Sequence, residues 1–200
     1  MPKVKVPRKS TNIDMTAMCD VAFLLLTFFM LTTKFKADDP VVVDTPSSIS
    51  EIKLPDTDIM AITITKDGRV FFGMDGKYNR ERMIDKIGAK FGIGFTEEEV
   101  HAFSLTGSFG VPIASLKEFL NLPPEQRTNE KDQPGIPLDS VKNELQYWIV
   151  YGRLSNPNTR IAIRGDGETP YPVIKSVMNT LQEKNVNKFN LITDLEARPK

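Results

Sequence analysis

The sequence predicts an α+β protein: one N-terminal transmembrane helix, a flexible tether, and a small extracytoplasmic mixed-sheet domain with helices on one face and an insertion. Three observations carry this reading. An apolar run follows directly on a basic tail, a proline- and serine-containing stretch without helical period follows the run, and beyond that strand-type alternation and helix-type spacing take turns. A length of 200 residues suits one packed domain plus an appendage.

Residues 1–14 hold Lys3, Lys5, Arg8 and Lys9 and read as a cytoplasmic basic tail. Residues 15–33, MTAMCDVAFLLLTFFMLTT, contain one charge and are closed by Lys34 and Lys36. At roughly 1.5 Å per residue the run covers about 28 Å, close to the roughly 30 Å of a hydrocarbon core. The far side mixes lysines with Asp38, Asp39 and Asp44, so the positive-inside rule puts the N-terminus in the cytoplasm. Two other readings exist. A secretory signal peptide shares the basic start and apolar centre, but its cleavage site would need Phe35 where a small residue belongs. A buried helix of a soluble domain would rarely sit straight after a basic tail.

Asp20 lies about 7.5 Å along the helix axis from Met15, within the apolar layer. A central Asp costs on the order of 2.5–3.5 kcal/mol to insert, somewhat less off-centre. At about 100° per residue, Thr16, Asp20, Thr27 and Lys34 fall in a band of roughly 40° on the helix surface. A polar stripe on a lone span has no partner in its own monomer, so it calls for other membrane helices or a water-filled path. The plainer role, a helix-start acid complementing the dipole, suits Asp14 better, because Asp14 stands just before the apolar run. Asp20 is therefore the candidate proton-binding residue, with Thr16 and Thr27 as its pore-facing support.

Residues 34–58, with Pro40, Pro46, Pro55 and Ser47-Ser48, read as a tether containing at most a short extended stretch at Val41–Val43. The domain spans residues 59–194. Met60–Thr65 alternates, Lys66-Asp67-Gly68 turns, and Arg69–Phe72 returns, which is a hairpin signal. Asn79–Lys90 has helical spacing with Asn79 as the expected cap; Asp139–Leu154 forms a second helix capped by Asp139 or Ser140, with Val141, Leu145, Trp148 and Ile149 on its apolar face. Arg160–Arg164 alternates as a strand, Thr169-Pro170 opens a helix with a cap and a first-position proline and the stripe Val173, Ile174, Val177, Met178 and Leu181, and Phe189–Thr193 closes as a strand. Strand–helix–strand order implies a parallel pair with a crossover helix beside the hairpin. Residues 195–200 read as a tail.

Residues 92–138 look like an insertion. Thr96 with Glu99 offers a capping box for a helix through Phe103, and Ala114–Leu122 a second short one. Phe95, Phe103, Phe109, Ile113, Leu116 and Phe119 are too many apolar groups for an open loop, so packing on the domain is favoured over a partner surface.

Several classes are disfavoured. Formal net charge is zero and the basic excess sits in the first ten residues, which leaves the remainder acidic and argues against nucleic acid. Cys19 is the single cysteine and His101 the single histidine, so no metal-ligand spacing exists, and neither a metal nor another cofactor is expected. Arg164-Gly165-Asp166-Gly167-Glu168 lacks the pattern of a phosphate loop and reads as a turn. Nothing looks catalytic, and the chain is not expected to be an enzyme.

Ile13-Asp14-Met15-Thr16-Ala17-Met18-Cys19-Asp20, followed by Phe29-Met30-Leu31, resembles the signature of the ExbD/TolR family, in which an Asn-Val-Thr-Pro-type segment leads to a membrane Asp and then Phe-Met. Asp14 stands where the family has Asn, and Ala17 where it has Pro. Near the C-terminus, Ile161–Asp166, Tyr171, Val177-Met178 and Leu181 resemble the family's strand, Arg-Ala-Asp turn and helix. The likeness covers residues 11–35, 52–91 and 139–194, and not 92–138. It implies a single-pass inner-membrane protein with its C-terminal domain in the periplasm. It also implies a homodimer working with an ExbB- or TolQ-like membrane protein, driven by the proton gradient to energise TonB-like transport or, alternatively, a Pal-like envelope system, with possible contact to peptidoglycan. A passive membrane-anchored binding module is the competing function.

Overall fold

The computed structural model describes residues 15–32, 47–48, 57–139, 142–192 and 194–195. The basic tail, Asp14, Lys34, most of the tether with Val41–Val43, Ser140, Val141, Thr193 and residues 196–200 lie outside them. The chain divides into two units, residues 1–36 and 37–200.

The first unit contributes helix α1, Met15–Thr32. The second runs β1 (Ser47–Ser48), β2 (Ile59–Ile64), β3 (Val70–Met74), α2 (Lys77–Phe91), α3 (Glu97–Leu105), β4 (Ser108–Phe109), α4 (Leu116–Leu120), α5 (Pro124–Arg127), α6 (Leu145–Ser155), β5 (Arg160–Gly165), α7 (Tyr171–Glu183), β6 (Phe189–Ile192) and β7 (Asp194–Leu195). Single 3₁₀ turns at Ile113–Ser115 and Glu130–Asp132 punctuate the insertion.

Five strands form one mixed sheet in the order β4-β3-β2-β5-β6. β2 pairs antiparallel with β3, as the Lys66–Gly68 turn requires, and parallel with β5, which pairs parallel with β6 across the α7 crossover. Strand alternation sorts the residues: Met60, Ile62 and Ile64 share a face with Phe72, Ile161 and Ile163, and all join one core with Met83, Ile84 and Ile87 of α2, Leu145, Trp148 and Ile149 of α6, and Val177 and Leu181 of α7. The helices thus cover one face. Gly152 lets α6 approach β2 closely, since a Cβ there would collide with the end of Met60. In the tether, the extended piece that the structure describes is Ser47–Ser48, paired parallel with Asp194–Leu195.

Residues 92–138 fold onto the domain. The Thr96 capping box forms: Thr96 Oγ1 accepts from the Glu99 amide and Glu99 Oε2 accepts from the Thr96 amide at 2.8 Å. Phe103, Phe109, Ile113, Leu116 and Phe119 are buried, and Phe95 is partly so. Phe109 meets Phe72, Phe103 and Trp148, and Phe103 stacks on Trp148, with ring centroids 4.6–6.1 Å apart, each pair adding about 0.5–1.5 kcal/mol beyond area burial. The insertion also supplies the edge strand β4, where Phe109 faces Phe72. A two-residue strand is too short to show alternation, so it was not legible in the sequence.

Three expected caps are corrected. α2 starts at Lys77 behind Gly76, whose φ of 88° favours glycine, and Asn79 lies inside the helix, donating to Asp75 O at 3.1 Å. α6 begins at Leu145 rather than Asp139, because Leu138 and Asn143 pair in an antiparallel bridge ahead of it, with the Lys142 amide donating to Asp139 O at 3.0 Å. Thr169 does not cap α7: its hydroxyl donates to Ile64 O and Thr65 O, and Pro170 precedes the helix. Arg164 and Gly165 end β5, and the expected turn follows them, with the Glu168 amide donating to Asp166 Oδ1 at 2.9 Å.

Candidate functional site: the acidic residue of the apolar helix

α1 owes its form to a run of straight-chain and aromatic residues without Gly or Pro, whose backbone groups pair within the helix. Its mean hydropathy is 1.9 and its length suits a bilayer. None of its residues is buried; Phe23, Leu24, Phe28, Phe29 and Leu31 are all more than half exposed. An apolar helix with its large side chains exposed needs an apolar medium or other helices around it, and it fits single-pass membrane anchoring.

Asp20 is exposed on this helix, and among the described residues no hydrogen bond or ion pair holds its carboxylate. Thr27, two turns further on, is the one half-buried residue of α1. Its hydroxyl donates to Leu24 O at 2.9 Å, which satisfies its proton inside the helix and leaves the oxygen as an acceptor. Thr32 does the same toward Phe28 O at 2.9 Å. Thr16 stands one turn before Asp20, on the same side by helical spacing. The stripe is less purely polar than its three members suggest, because Phe23 and Leu24, three and four residues past Asp20, share that side. The helix therefore presents one carboxyl flanked by hydroxyls and apolar groups, with no counter-charge of its own.

Among its described residues, the folded unit shows no competing centre. Among the described residues no cluster of three His, Cys, Asp or Glu side chains occurs, and His101 is exposed on α3. Its notable polar groups are structural, and sequence reasoning missed most of them. Arg80 donates from Nε to Ser104 O at 2.7 Å and from Nη1 to Met74 O at 2.8 Å, tying α2 to β3 and α3, while desolvation lowers its pKa from the usual arginine range. Buried Gln133 accepts from the Gly110 amide at 2.7 Å and donates to Arg127 O at 2.9 Å. Glu99 is buried; the Thr96 amide, offset in part by desolvation and aided by Asn121 and Lys117, holds its pKa below the usual carboxylate range. Only Glu99 had a sequence signal, the capping box.

Fold and helix together define a class: an α+β domain on a chain with one membrane-competent helix, which carries a single acid. Within that class the chain belongs to the ExbD/TolR family, described as biopolymer transport proteins, with the match running over residues 7–196. The matched span passes through residues 92–138, which the sequence motifs alone did not reach. No curated protein and no solved structure matches the chain. Members of this family are transport-associated proteins rather than enzymes, and they work in membrane complexes.

Proposed function

We propose that the chain is the ExbD-like subunit of a proton-motive-force-driven inner-membrane motor that energises TonB-dependent transport across the outer membrane. The observation that carries this is Asp20, a carboxyl on an exposed apolar helix, with no ion-pair partner among the described residues. In a membrane complex such a helix is enclosed by those of an ExbB- or TolQ-like partner, and Asp20 binds a proton on one side and releases it on the other. Each elementary charge crossing the membrane supplies about 2.3 kcal/mol per 100 mV. Thr16 and Thr27 line the same path. The N-terminus lies in the cytoplasm, residues 34–58 tether the domain, and residues 59–194 work in the periplasm as a homodimer that reaches a TonB-like transducer and peptidoglycan. The TolR-like role, in envelope integrity, uses the same chemistry with a different output.

Asp20→Asn keeps size and most hydrogen bonding but removes titration. The expected outcome is loss of gradient-dependent uptake, or of envelope integrity, at normal protein levels with an unchanged folded domain. Survival of both activities would leave the passive anchored module as the correct account. Co-purification from membranes separates the two motor roles by whether a TonB-like or a Pal-like system accompanies the chain.

A further inference from the structure

The end of the sheet where β2, β5 and β6 begin carries a groove of about 390 Å³ lined by Ile149, Val150, Arg153, Leu154, Pro157 and Lys184. Its floor is apolar, and Leu154 is 58% exposed although it sits on a helix whose other side is core. Its rim is cationic. Neither Arg153 nor Lys184 has an ion-pair partner among the described residues, and Lys86 reaches the same place to donate to Leu154 O at 2.6 Å. Exposed Arg160 and Lys188, at the starts of β5 and β6, add charge at this end. Asp58 is already held by Asn156 at 2.6 Å and Asp75 by the Ile59 amide at 3.2 Å. The excess here is positive, although the chain beyond its first ten residues is acidic overall.

The walls distinguish a lipid from a peptide. An extended peptide must satisfy its own N–H and C=O groups, commonly on an open strand edge. No strand residue lines this groove. Carbonyls at the two helix ends are taken: Gly152 O by the Asn156 amide at 3.0 Å, Leu181 O by the Val186 amide at 2.9 Å, Gln182 O by the Asn185 amide at 2.9 Å, and Leu154 O by Lys86. A ligand with a hydrocarbon chain and one anionic head needs only the apolar floor and the rim. We propose that the groove binds an anionic phospholipid of the membrane that α1 crosses, with an acyl chain on Ile149, Val150, Leu154 and Pro157 and the phosphate between Arg153 and Lys184. A zwitterionic headgroup fits less well, because it brings a cation of its own to a cationic rim. The tether enters the domain at this end, where the Arg160 amide donates to Asp58 O at 2.9 Å just before β2, so the groove lies at the end that the chain ties to the membrane. The proposal rests on the membrane reading of α1 for its lipid, and not on the titration of Asp20.

The test reconstitutes the full-length chain in phosphatidylcholine vesicles doped with a phosphatidylglycerol whose acyl chain carries a photoreactive diazirine. Mass spectrometry of peptides then maps the cross-links. Label is expected on α1 and, within the domain, concentrated on residues 149–157. Arg153→Glu with Lys184→Glu is expected to lower the groove label roughly tenfold or more and to leave the α1 label unchanged. Lys66→Glu with Lys131→Glu, which alters exposed charges around the β2–β3 turn, is expected to change neither. A phosphatidylcholine probe with the same diazirine is expected to label α1 equally and the groove much less. Trp148 fluorescence checks that each variant is folded. Label on α1 with none in the groove would overturn the proposal and leave an acidic partner protein as the occupant. Groove label that ignores charge reversal, that is equal for the two probes, or that is matched at exposed Leu105 and Leu122 would overturn it as well. Groove label without α1 label would support the groove and count against the membrane reading of α1.

Discussion

The apolar helix and the folded domain solve opposite problems. α1 satisfies its backbone internally and even turns Thr27 and Thr32 onto its own carbonyls, yet it buries none of its side chains. The domain buries Trp148, Phe72, Phe103 and Met60 completely and gives buried polar groups such as Gln133 and Arg80 specific partners, although Trp148 Nε1 and Arg127 Nε are buried without one. A helix complete in backbone but bare in side chains takes its stability from the medium and its function from its neighbours. A domain with its own buried core can be perturbed by itself.

Substitutions should therefore separate the two regions. The largest stability effect is expected at Trp148, whose ring meets Phe72, Phe103 and Phe109. Trp148→Ala should cost about 3–5 kcal/mol, measured by denaturant unfolding of the domain, while membrane insertion of the chain stays unchanged. Gly152→Val comes next: the added side chain meets Met60 in a filled core, and overpacking of this kind costs about 1–3 kcal/mol. Glu99→Ala removes one half of a capping box and the contacts to Asn121 and Lys117, a loss of about 1 kcal/mol.

The same residue sets a pH dependence. The folded-state pKa of Glu99 is depressed, chiefly by the Thr96 amide, so its contribution is fully present above the unfolded value of about 4.3. It disappears as pH falls through the lower folded value. Between neutral pH and pH 3 the wild-type domain should lose more stability than Glu99→Gln, read as a larger drop in Tm. The smallest effect belongs to Thr27→Val, which should leave domain stability untouched. It should slow gradient-driven output without abolishing it if Thr27 lines the proton path, and change nothing if it only satisfies Leu24 O.

Much of the domain was legible because its elements are long enough to show their period. The hairpin Ile59–Met74 and the unit β5-α7-β6 carry alternation and helical spacing over many residues. Helix starts were less legible. Asn79 and Thr169 look like caps locally, but Gly76 sets the entry of α2 and the hydroxyl of Thr169 is taken by β2 carbonyls that are distant in sequence. The start of α6 was displaced by a bridge between Leu138 and Asn143, which no local propensity announces.

The sequence by itself determined the membrane-competent run, the position of Asp20 within it and the order of strands and helices, because periodicity, charge and turn chemistry act over neighbouring residues. Tertiary structure decided the rest. It made residues 92–138 part of the core, placed β4 on the sheet edge and gathered Phe72, Phe103, Phe109 and Trp148 into one cluster. It also left a cationic apolar groove between α6 and α7. Each of these joins residues far apart in the chain, and such contacts depend on packing and on hydrogen-bond partners that no local pattern contains.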